Sequence, residues 1–214
     1  SCEVFAYGQV EDYTVNIVAA TTLITTKLYI EGFYDTITNF MLPVRANQGV
    51  GVSATDVDTI TLELRNATAP FALAATTTAM LQTNGIATGT FTPAITGSYY
   101  LVVKHRNALQ TWSALPITVS ASTPTYDFTN TNAKAFGSNM KQVEPGVWAL
   151  YSGDINQDEV IDASDNVNLA NDITNSNFGY LNTDLNGDGS VDNSDLPIIT
   201  NNIENSIFST ESGL

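Results

Sequence analysis

The chain has 214 residues, 43% of them hydrophobic, and a formal net charge of −15 at pH 7. The hydrophobic fraction excludes a fully disordered chain, and seven Lys and Arg against 22 Asp and Glu leave no basic surface for nucleic acid. No apolar run approaches the roughly 18 residues of a membrane-spanning helix, so we expect no membrane insertion.

Short β-type runs fill most of the first 150 residues. Residues 10–17 favour an extended strand, and the Thr- and Ala-rich segment 19–26 is typical of a connector. Further β-type runs, separated by Gly, Pro and Asn-Gly turns, lie at residues 28–34, 59–64, 71–75, 86–91, 99–103 and 116–119. Six or seven short strands over about 95 residues predict an antiparallel, immunoglobulin-like β-sandwich. Residues 123–147 are polar, which indicates a linker or a last strand and turn.

The C-terminal third differs from the rest in charge. All seven Lys and Arg precede residue 150, whereas residues 150–214 contain twelve Asp and Glu and no Lys, Arg or His. A compact segment of this charge repels itself unless it binds cations. Its apolar residues, such as Ile161 and Ile199, argue against plain disorder. The charge distribution alone therefore predicts a metal site in this third.

Two segments thirty residues apart repeat each other, DINQDEVIDASD at residues 154–165 and DLNGDGSVDNSD at residues 184–195. Both place acidic or amide side chains at loop positions 1, 3, 5, 9 and 12, the spacing of an EF-hand-type calcium loop, and position 7 adds a backbone carbonyl. The sequence therefore predicts two calcium ions. The first ligand set is Asp154, Asn156, Asp158, the Val160 carbonyl, Asp162 and Asp165. The second set is Asp184, Asn186, Asp188, the Ser190 carbonyl, Asp192 and Asp195.

A helix is predicted after each loop, from about Ser164 and from about Ser194. The predicted apolar stripes are Val167, Ala170 and Ile173 in the first helix and Leu196, Ile199 and Ile203 in the second. The apolar residues at loop position 8, Ile161 and Val191, are suited to pairing and packing the two loops. The two loop-helix units should pack as a pseudo-symmetric pair.

The duplicated loop-helix resembles the dockerin family over residues 152–208. This resemblance implies a non-catalytic module that attaches a secreted protein to a partner, and cellulosomal dockerins bind cohesins. One departure lies at position 6 of the first loop, where Glu159 replaces the expected Gly. Because the backbone there needs a positive φ, we expect the first site to be the weaker one.

Residues 7–17 resemble the end of a GEVED domain, on the stretch YGQVEDYTV, and the middle region resembles modules that precede dockerin-like repeats in large secreted Bacteroidetes proteins. The chain begins at Ser1 without a signal-peptide pattern, so we expect it to be part of a longer protein. The sequence thus predicts a strand of an upstream domain at residues 1–20, a sandwich with linker at 21–148 and a dockerin-like module at 149–214.

The cationic run 104–106 and Trp112 form the main candidate site outside the repeats. They would suit a carbohydrate or anion contact, but we favour a strand end with solvent-reaching cations and a core Trp. No G-x-S-x-G motif or carboxylate pair indicates catalysis, so we expect no enzyme.

The leading interpretation is an extracellular or cell-surface calcium module for attachment or structural spacing, with a protein partner. Two alternatives stay open. The chain could be a subunit of a filament or adhesin that pairs with copies of itself by β-strand addition, through residues 4–17. It could also be an accessory fragment of a secreted hydrolase.

Overall fold

The computed structural model describes residues 19–121, 123 and 125–210. The strands in these residues are β1 (Thr22–Lys27), β2 (Tyr34–Asp35), β3 (Phe40–Met41), β4 (Asp56–Asn66), β5 (Leu73–Gln82), β6 (Ile86–Phe91), β7 (Gly97–His105), β8 (Ala108–Trp112), β9 (Ile117–Val119), β10 (Tyr126–Asp127), β11 (Lys141–Glu144) and β12 (Val147–Ala149). The α-helices are α1 (Val44–Asn47), α2 (Ala163–Thr174) and α3 (Leu196–Glu204). None of these helices is long and apolar enough to cross a membrane.

Two sheets enclose the main hydrophobic core. The larger sheet has the order β5-β4-β7-β8 with β9 also paired to β7, and the smaller has the order β10-β1-β6. Ile24 and Phe91 of the smaller sheet share one buried cluster with Leu62 and Leu101 of the larger sheet. The predicted β-sandwich with a helical C-terminal pair is confirmed. Among the described strands its pairings are antiparallel except between β1 and β10, which run parallel, and an isolated bridge between Ile30 and Leu150 is also parallel.

The first described strand lies where the sequence predicted a connector. β1 covers Thr22–Lys27, whereas the predicted strand at residues 28–34 contains a 3-10 helix, Glu31–Phe33, just before β2. Thr side chains hide the alternation of β1, because Thr22 and Thr26 face inward as Ile24 does. Their hydroxyl groups donate hydrogen bonds to backbone carbonyls at 2.9 and 3.0 Å. These bonds offset the cost of removing the two hydroxyl groups from water.

The remaining predicted runs fall on strands with changed boundaries. The run 86–91 coincides with β6, while β5 continues to Gln82 and β7 to His105. The strand β8 was not predicted, because all of its residues are buried and no alternation marks it.

The polar stretch predicted as a linker or last strand packs onto the sandwich. Phe128, Ala135 and Met140 are at most 2% exposed, and the hairpin of β11 and β12 turns at Gly146, whose φ is 80°. The described residues of this stretch therefore belong to the folded body.

Helices α2 and α3 lie where the repeat predicts them, and Ile173 of α2 packs against the buried cluster as predicted, but the predicted stripe is wrong at Val167 and Ala170. Val167 is 57% exposed and Ala170 is also exposed, whereas Leu169 is fully buried. The phase is set by Asp165, which is buried in the loop, so the positions four and eight residues later face inward. In α3, Ile199 is fully buried as predicted.

The helical pair shares its core with the sandwich. Leu109 of β8 belongs to the same buried cluster as Ile155, Leu169 and Ile199. The C-terminal loops are therefore held against β8.

The predicted strand at residues 4–17 and the resemblance over residues 7–17 lie outside the described residues. The alternative of assembly by strand addition, which depends on that strand, stays a prediction.

Candidate metal centre

Both loops contain the same turns, in which a backbone amide donates a hydrogen bond to an Asn or Asp side chain of the same loop. In the first loop, Asn156 Oδ1 accepts from Asp158 N at 2.9 Å, and Asp158 Oδ1 accepts from Val160 N at 3.1 Å. In the second loop, the equivalent bonds at Asp188 N and Ser190 N measure 2.9 and 2.8 Å. Such turns explain why Asn and Asp alternate with other residues here. The two repeats therefore fold alike at positions 3 to 7.

The carboxylate at position 12 closes each loop. Asp165 Oδ1 accepts from Ile155 N at 2.8 Å and from Asn156 N at 3.0 Å, and its Oδ2 accepts from Asp162 N at 3.0 Å. Asp195 makes the same three bonds in the second loop, at 2.8, 3.0 and 3.0 Å. Both side chains are fully buried. Position 12 thus ties the start of each loop to the first turn of the following helix.

The first carboxylate of each loop is buried beside other carboxylates. Burial, with the nearby charges of Asp165 and Asp158, raises the pKa of Asp154 to about 7. Burial likewise raises the pKa of Asp184 to about 6, and Asp195 adds to this shift. Because residues 150–214 contain no Lys, Arg or His, no side chain of this segment offsets the repulsion. A bound divalent cation would offset this repulsion. The predicted donors are all oxygen atoms, which fit calcium rather than a softer metal.

Acidic, His and Cys side chains do not by themselves form a metal site in the described residues. Across the described ranges, no group of three or more such side chains is gathered closely enough to hold a metal ion. Each predicted shell also needs an Asn side chain and a backbone carbonyl, which are oxygen donors of other kinds. The twelve predicted ligands therefore stay a prediction.

Backbone strain distinguishes the two loops. Positions 4 and 6 have positive φ in both, and the second loop places Gly187 and Gly189 there. The first loop places Gln157 at φ 62° and Glu159 at φ 73°. The positive φ expected at position 6 is confirmed, and position 4 is a second strained position that the sequence analysis missed.

At position 8, the backbone of each loop pairs with the segment that follows a helix, contrary to the predicted pairing of the two loops. The predicted packing is confirmed, because Ile161 and Val191 belong to one buried cluster. Ile161 N donates to Ile207 O at 2.9 Å, and Val191 N donates to Asn177 O at 3.3 Å. Bridges between Val160 and Phe208 and between Phe178 and Ser190 lie beside these bonds. Each loop is thus anchored by the other repeat.

Sequence reasoning also missed polar residues that support the loops. Asn156 Nδ2 donates to Ser164 Oγ at 2.8 Å, and the second loop repeats this contact at Ser194 with 2.7 Å. The signal was the Ser at position 11 of both repeats. Gln48 and Asn107 of the sandwich also reach the second loop, and no local pattern could have indicated them.

The cationic run 104–106 forms no open binding surface. His105 is 3% exposed, and Arg106 pairs with buried Asp58 at 2.8 Å, so the prediction of solvent-reaching cations is wrong for these two residues. Trp112 is 2% exposed and packs against Tyr100 and Phe71, which confirms the core interpretation of this Trp.

The arrangement of two equivalent loops, each followed by a helix, has a counterpart among known families. Residues 152–206 match the dockerin type I domain. This match indicates a calcium-binding protein-interaction module at residues 152–206. No curated protein matches the chain.

Two solved structures share its fold. They contain a C-terminal and an N-terminal interface mutant of the type II cohesin–X-dockerin complex from Acetivibrio cellulolyticus. In each, the similar chain is 16% identical with a TM-score of 0.50, and the match covers 88% of this chain and 97% of that chain. At this identity the likeness shows the fold alone.

Proposed function

We propose that the chain is a non-catalytic, extracellular attachment module, in which two calcium ions hold the dockerin segment, residues 149–214, ready to bind a protein partner. The observation that carries the proposal is the repeated loop geometry, with the same turns and the same buried carboxylate at position 12 in both loops. The dockerin match supports calcium as the ion.

Each ion would take the six ligands predicted for its loop. Calcium supplies positive charge to a segment whose acidic side chains otherwise repel one another. The chain itself contributes to the shape of each loop through its Asx turns and through the closing Asp165 and Asp195.

Native mass spectrometry and calorimetry test the number of ions. We expect two calcium ions per chain, and we expect Asp165→Asn and Asp195→Asn each to remove one of them. A count of zero, or a preference for zinc over calcium, would overturn the assignment, since all-oxygen shells favour hard cations.

Exposed apolar side chains of the dockerin segment support a protein partner. Phe178 is 80% exposed, and Phe208, Val167 and Val160 are 55%, 57% and 39% exposed. Aromatic residues, Phe among them, are enriched in protein–protein interfaces relative to the rest of the surface. The two similar complexes name a type II cohesin, so a cohesin domain is the first partner to test.

Calorimetry with a purified cohesin domain, with and without calcium, tests this partner. We expect calcium-dependent binding that Phe178→Ala weakens and that Gln142→Ala, an exposed substitution on β11, leaves unchanged. Sedimentation of the chain alone would instead reveal self-association. Self-association without cohesin binding would replace the attachment proposal with the filament alternative.

A further inference from the structure

The sandwich reaches into the second calcium loop but leaves the corresponding part of the first loop to itself. Gln48, directly after α1, donates from Nε2 to Asp184 Oδ2 at 2.7 Å. Asp184 also accepts from Gly187 N and Gly189 N of its own loop, at 2.8 and 3.1 Å. In the first loop, the equivalent Asp154 Oδ1 accepts from Asp158 N, a group of its own loop, at 3.1 Å. The amide oxygen of Gln48 is buried and has no hydrogen-bond partner. This amide therefore lies inside the contact and not in solvent.

A second contact shows the same difference between the loops. The Asp184 carbonyl accepts a hydrogen bond from Asn107 Nδ2 of the sandwich at 3.1 Å, and Asn107 is fully buried. In the first loop, the Asp154 carbonyl accepts from Gln157 Nε2 at 2.5 Å. The loop thus supplies its own donor in one repeat, and the sandwich supplies it in the other.

The residue at position 4 explains how the sandwich comes so close. Gly187 replaces Gln157 in the second loop, and a Cβ there would lie 2.5 Å from Val44 Cγ2 and 2.9 Å from Phe33 Cδ1. On the sandwich side, a Cβ on Gly32 would lie 1.9 Å from the Leu185 carbonyl oxygen. Both surfaces have glycine where they meet, so the second loop is fitted to the sandwich.

We propose that the second calcium site is a joint site of the two parts of the chain, in which Gln48 is a positioning residue for the ligand Asp184. This inference rests on the proposed calcium ion in the second loop. A hydrogen bond to one oxygen of the Asp184 carboxylate fixes the orientation of the whole group, and therefore the direction in which its remaining lone pairs face the ion. Such outer contacts orient ligands around a metal, and their loss typically weakens metal binding about 10- to 100-fold.

The coupling acts in both directions. If the sandwich tightens calcium binding in the second loop, calcium must strengthen the contact of that loop with the sandwich by the same factor. The first loop lacks the Gln48 contact, so its calcium affinity should not depend on Gln48.

Calorimetric titration of the full chain with calcium tests the positioning role. We expect Gln48→Ala to weaken one of the two binding events about tenfold or more and to leave the other unchanged. Gln142→Ala is the matched control and should change neither. Gln48→Asn keeps an amide that is too short to reach and gives a second variant with the same expected loss.

The titration distinguishes failure of the joint site from failure of two-ion binding. Equal weakening of both events, or no weakening of either, would overturn the joint site while leaving two-ion binding intact. A wild-type chain that binds no second ion would overturn the joint site together with the proposed function.

Hydrogen exchange tests the reverse coupling. The amides of residues 48–51 bond to carbonyls of residues 44–46, at the sandwich side of the contact. Calcium should increase their protection in the wild type and in Asp154→Asn, but not in Asp184→Asn. Protection that is independent of calcium, or that both variants lose equally, would contradict the coupling.

Discussion

At the scale of single residues, position 6 is one place where the two calcium loops differ. Glu159 has a φ of 73° and Gly189 a φ of 88°, although the carboxylate at position 12 accepts the same hydrogen bonds in both loops. A left-handed conformation costs a residue with a Cβ about 1 kcal/mol relative to glycine. At position 6 the loops therefore differ in backbone strain.

Placing Gly at residue 159 should remove the backbone strain of the first loop, and placing Glu at residue 189 should introduce it in the second. We expect Glu159→Gly to stabilise the calcium-loaded protein by about 1 kcal/mol and Gly189→Glu to destabilise it by a similar amount. The second substitution has room, since a Cβ at residue 189 would lie 3.4 Å from the nearest atom, in the flexible Gln48 side chain. Urea denaturation measures both changes. If both variants moved stability in the same direction, the strain would not explain the difference.

A buried ion pair lies between the sandwich and the loop region. Asp58 of β4 is 2.8 Å from Arg106 Nε and 3.0 Å from His105 Nε2, and it accepts a hydrogen bond from Tyr180. Burial alone would raise the pKa of Asp58, but His105, Arg106 and Tyr180 together hold it well below its usual range. Burial also lowers the pKa of His105, so Arg106 is the main cation of the cluster at neutral pH.

Removing this carboxylate should destabilise the chain in a pH-dependent way. We expect Asp58→Asn to cost about 3 kcal/mol at pH 7, because Arg106 would remain buried without its anion. Since the folded pKa of Asp58 is lowered, its stabilisation is present above its unfolded pKa of about 3.9 and is lost as the pH falls through the folded value. Chemical denaturation should show the variant approaching the wild type below about pH 4. A difference that does not vary with pH would exclude the ion pair as its cause.

At the scale of elements, the loop-helix repeats were predictable and several strands were not. Ligand spacing is local, so the twelve-residue loops and the start of α2 follow from the sequence alone. The phase of α2 was missed because the pattern gives no sign that Asp165 is the buried residue. β1 was missed because Thr occupies inward as well as outward positions. The contacts of Gln48 and Asn107 depend on pairing between residues more than 70 apart, which no local pattern contains.

Helices α2 and α3 also differ in what they contact. Asn202 of α3 is fully buried and donates to Glu31 Oε2 at 2.7 Å and to the Ser152 carbonyl at 2.8 Å. The residue thirty positions earlier, Asp172 of α2, instead bonds to Thr183 and Asn177 in the segment that follows α2. Of these two equivalent residues, only Asn202 docks its helix on the sandwich.

Asn202→Ala should therefore weaken the docking of α3. We expect a loss of about 2 kcal/mol, because Glu31 and the Ser152 carbonyl lose a buried donor. The neighbouring exposed residue gives the control Asn201→Ala, which should stay close to the wild type. Denaturation of the calcium-loaded proteins measures both. Equal effects of the two substitutions would mean that the buried amide contributes nothing specific.

At the scale of the whole molecule, two hydrophobic clusters differ in how far they depend on the calcium loops. The larger cluster is built from residues between Ile24 and Leu150, so the dockerin segment contributes its first two residues, Ala149 and Leu150, and its described loops and helices contribute none of the buried members. The smaller cluster depends on the loops and on Leu109 of β8. The twelve acidic residues of the C-terminal third add repulsion that only the second cluster must withstand. Small units of this kind usually need a metal to remain folded.

Removal of calcium should consequently unfold the molecule from one end. We expect hydrogen exchange of the chelated protein to show lost protection in α2, in α3 and at the amides of Leu109 and Gly153, which bond across the contact at 2.8 Å. Amides of β4 that pair with β5 and β7 should remain protected, because their core lies within the sandwich. Added sodium chloride should restore part of the lost protection by screening the acidic residues. Full protection of α2 and α3 without calcium would refute the argument from charge. Equal loss in β4 and α3 would instead show that the chain unfolds as one cooperative unit, in which the contact through Leu109 outweighs the separation of the two cores.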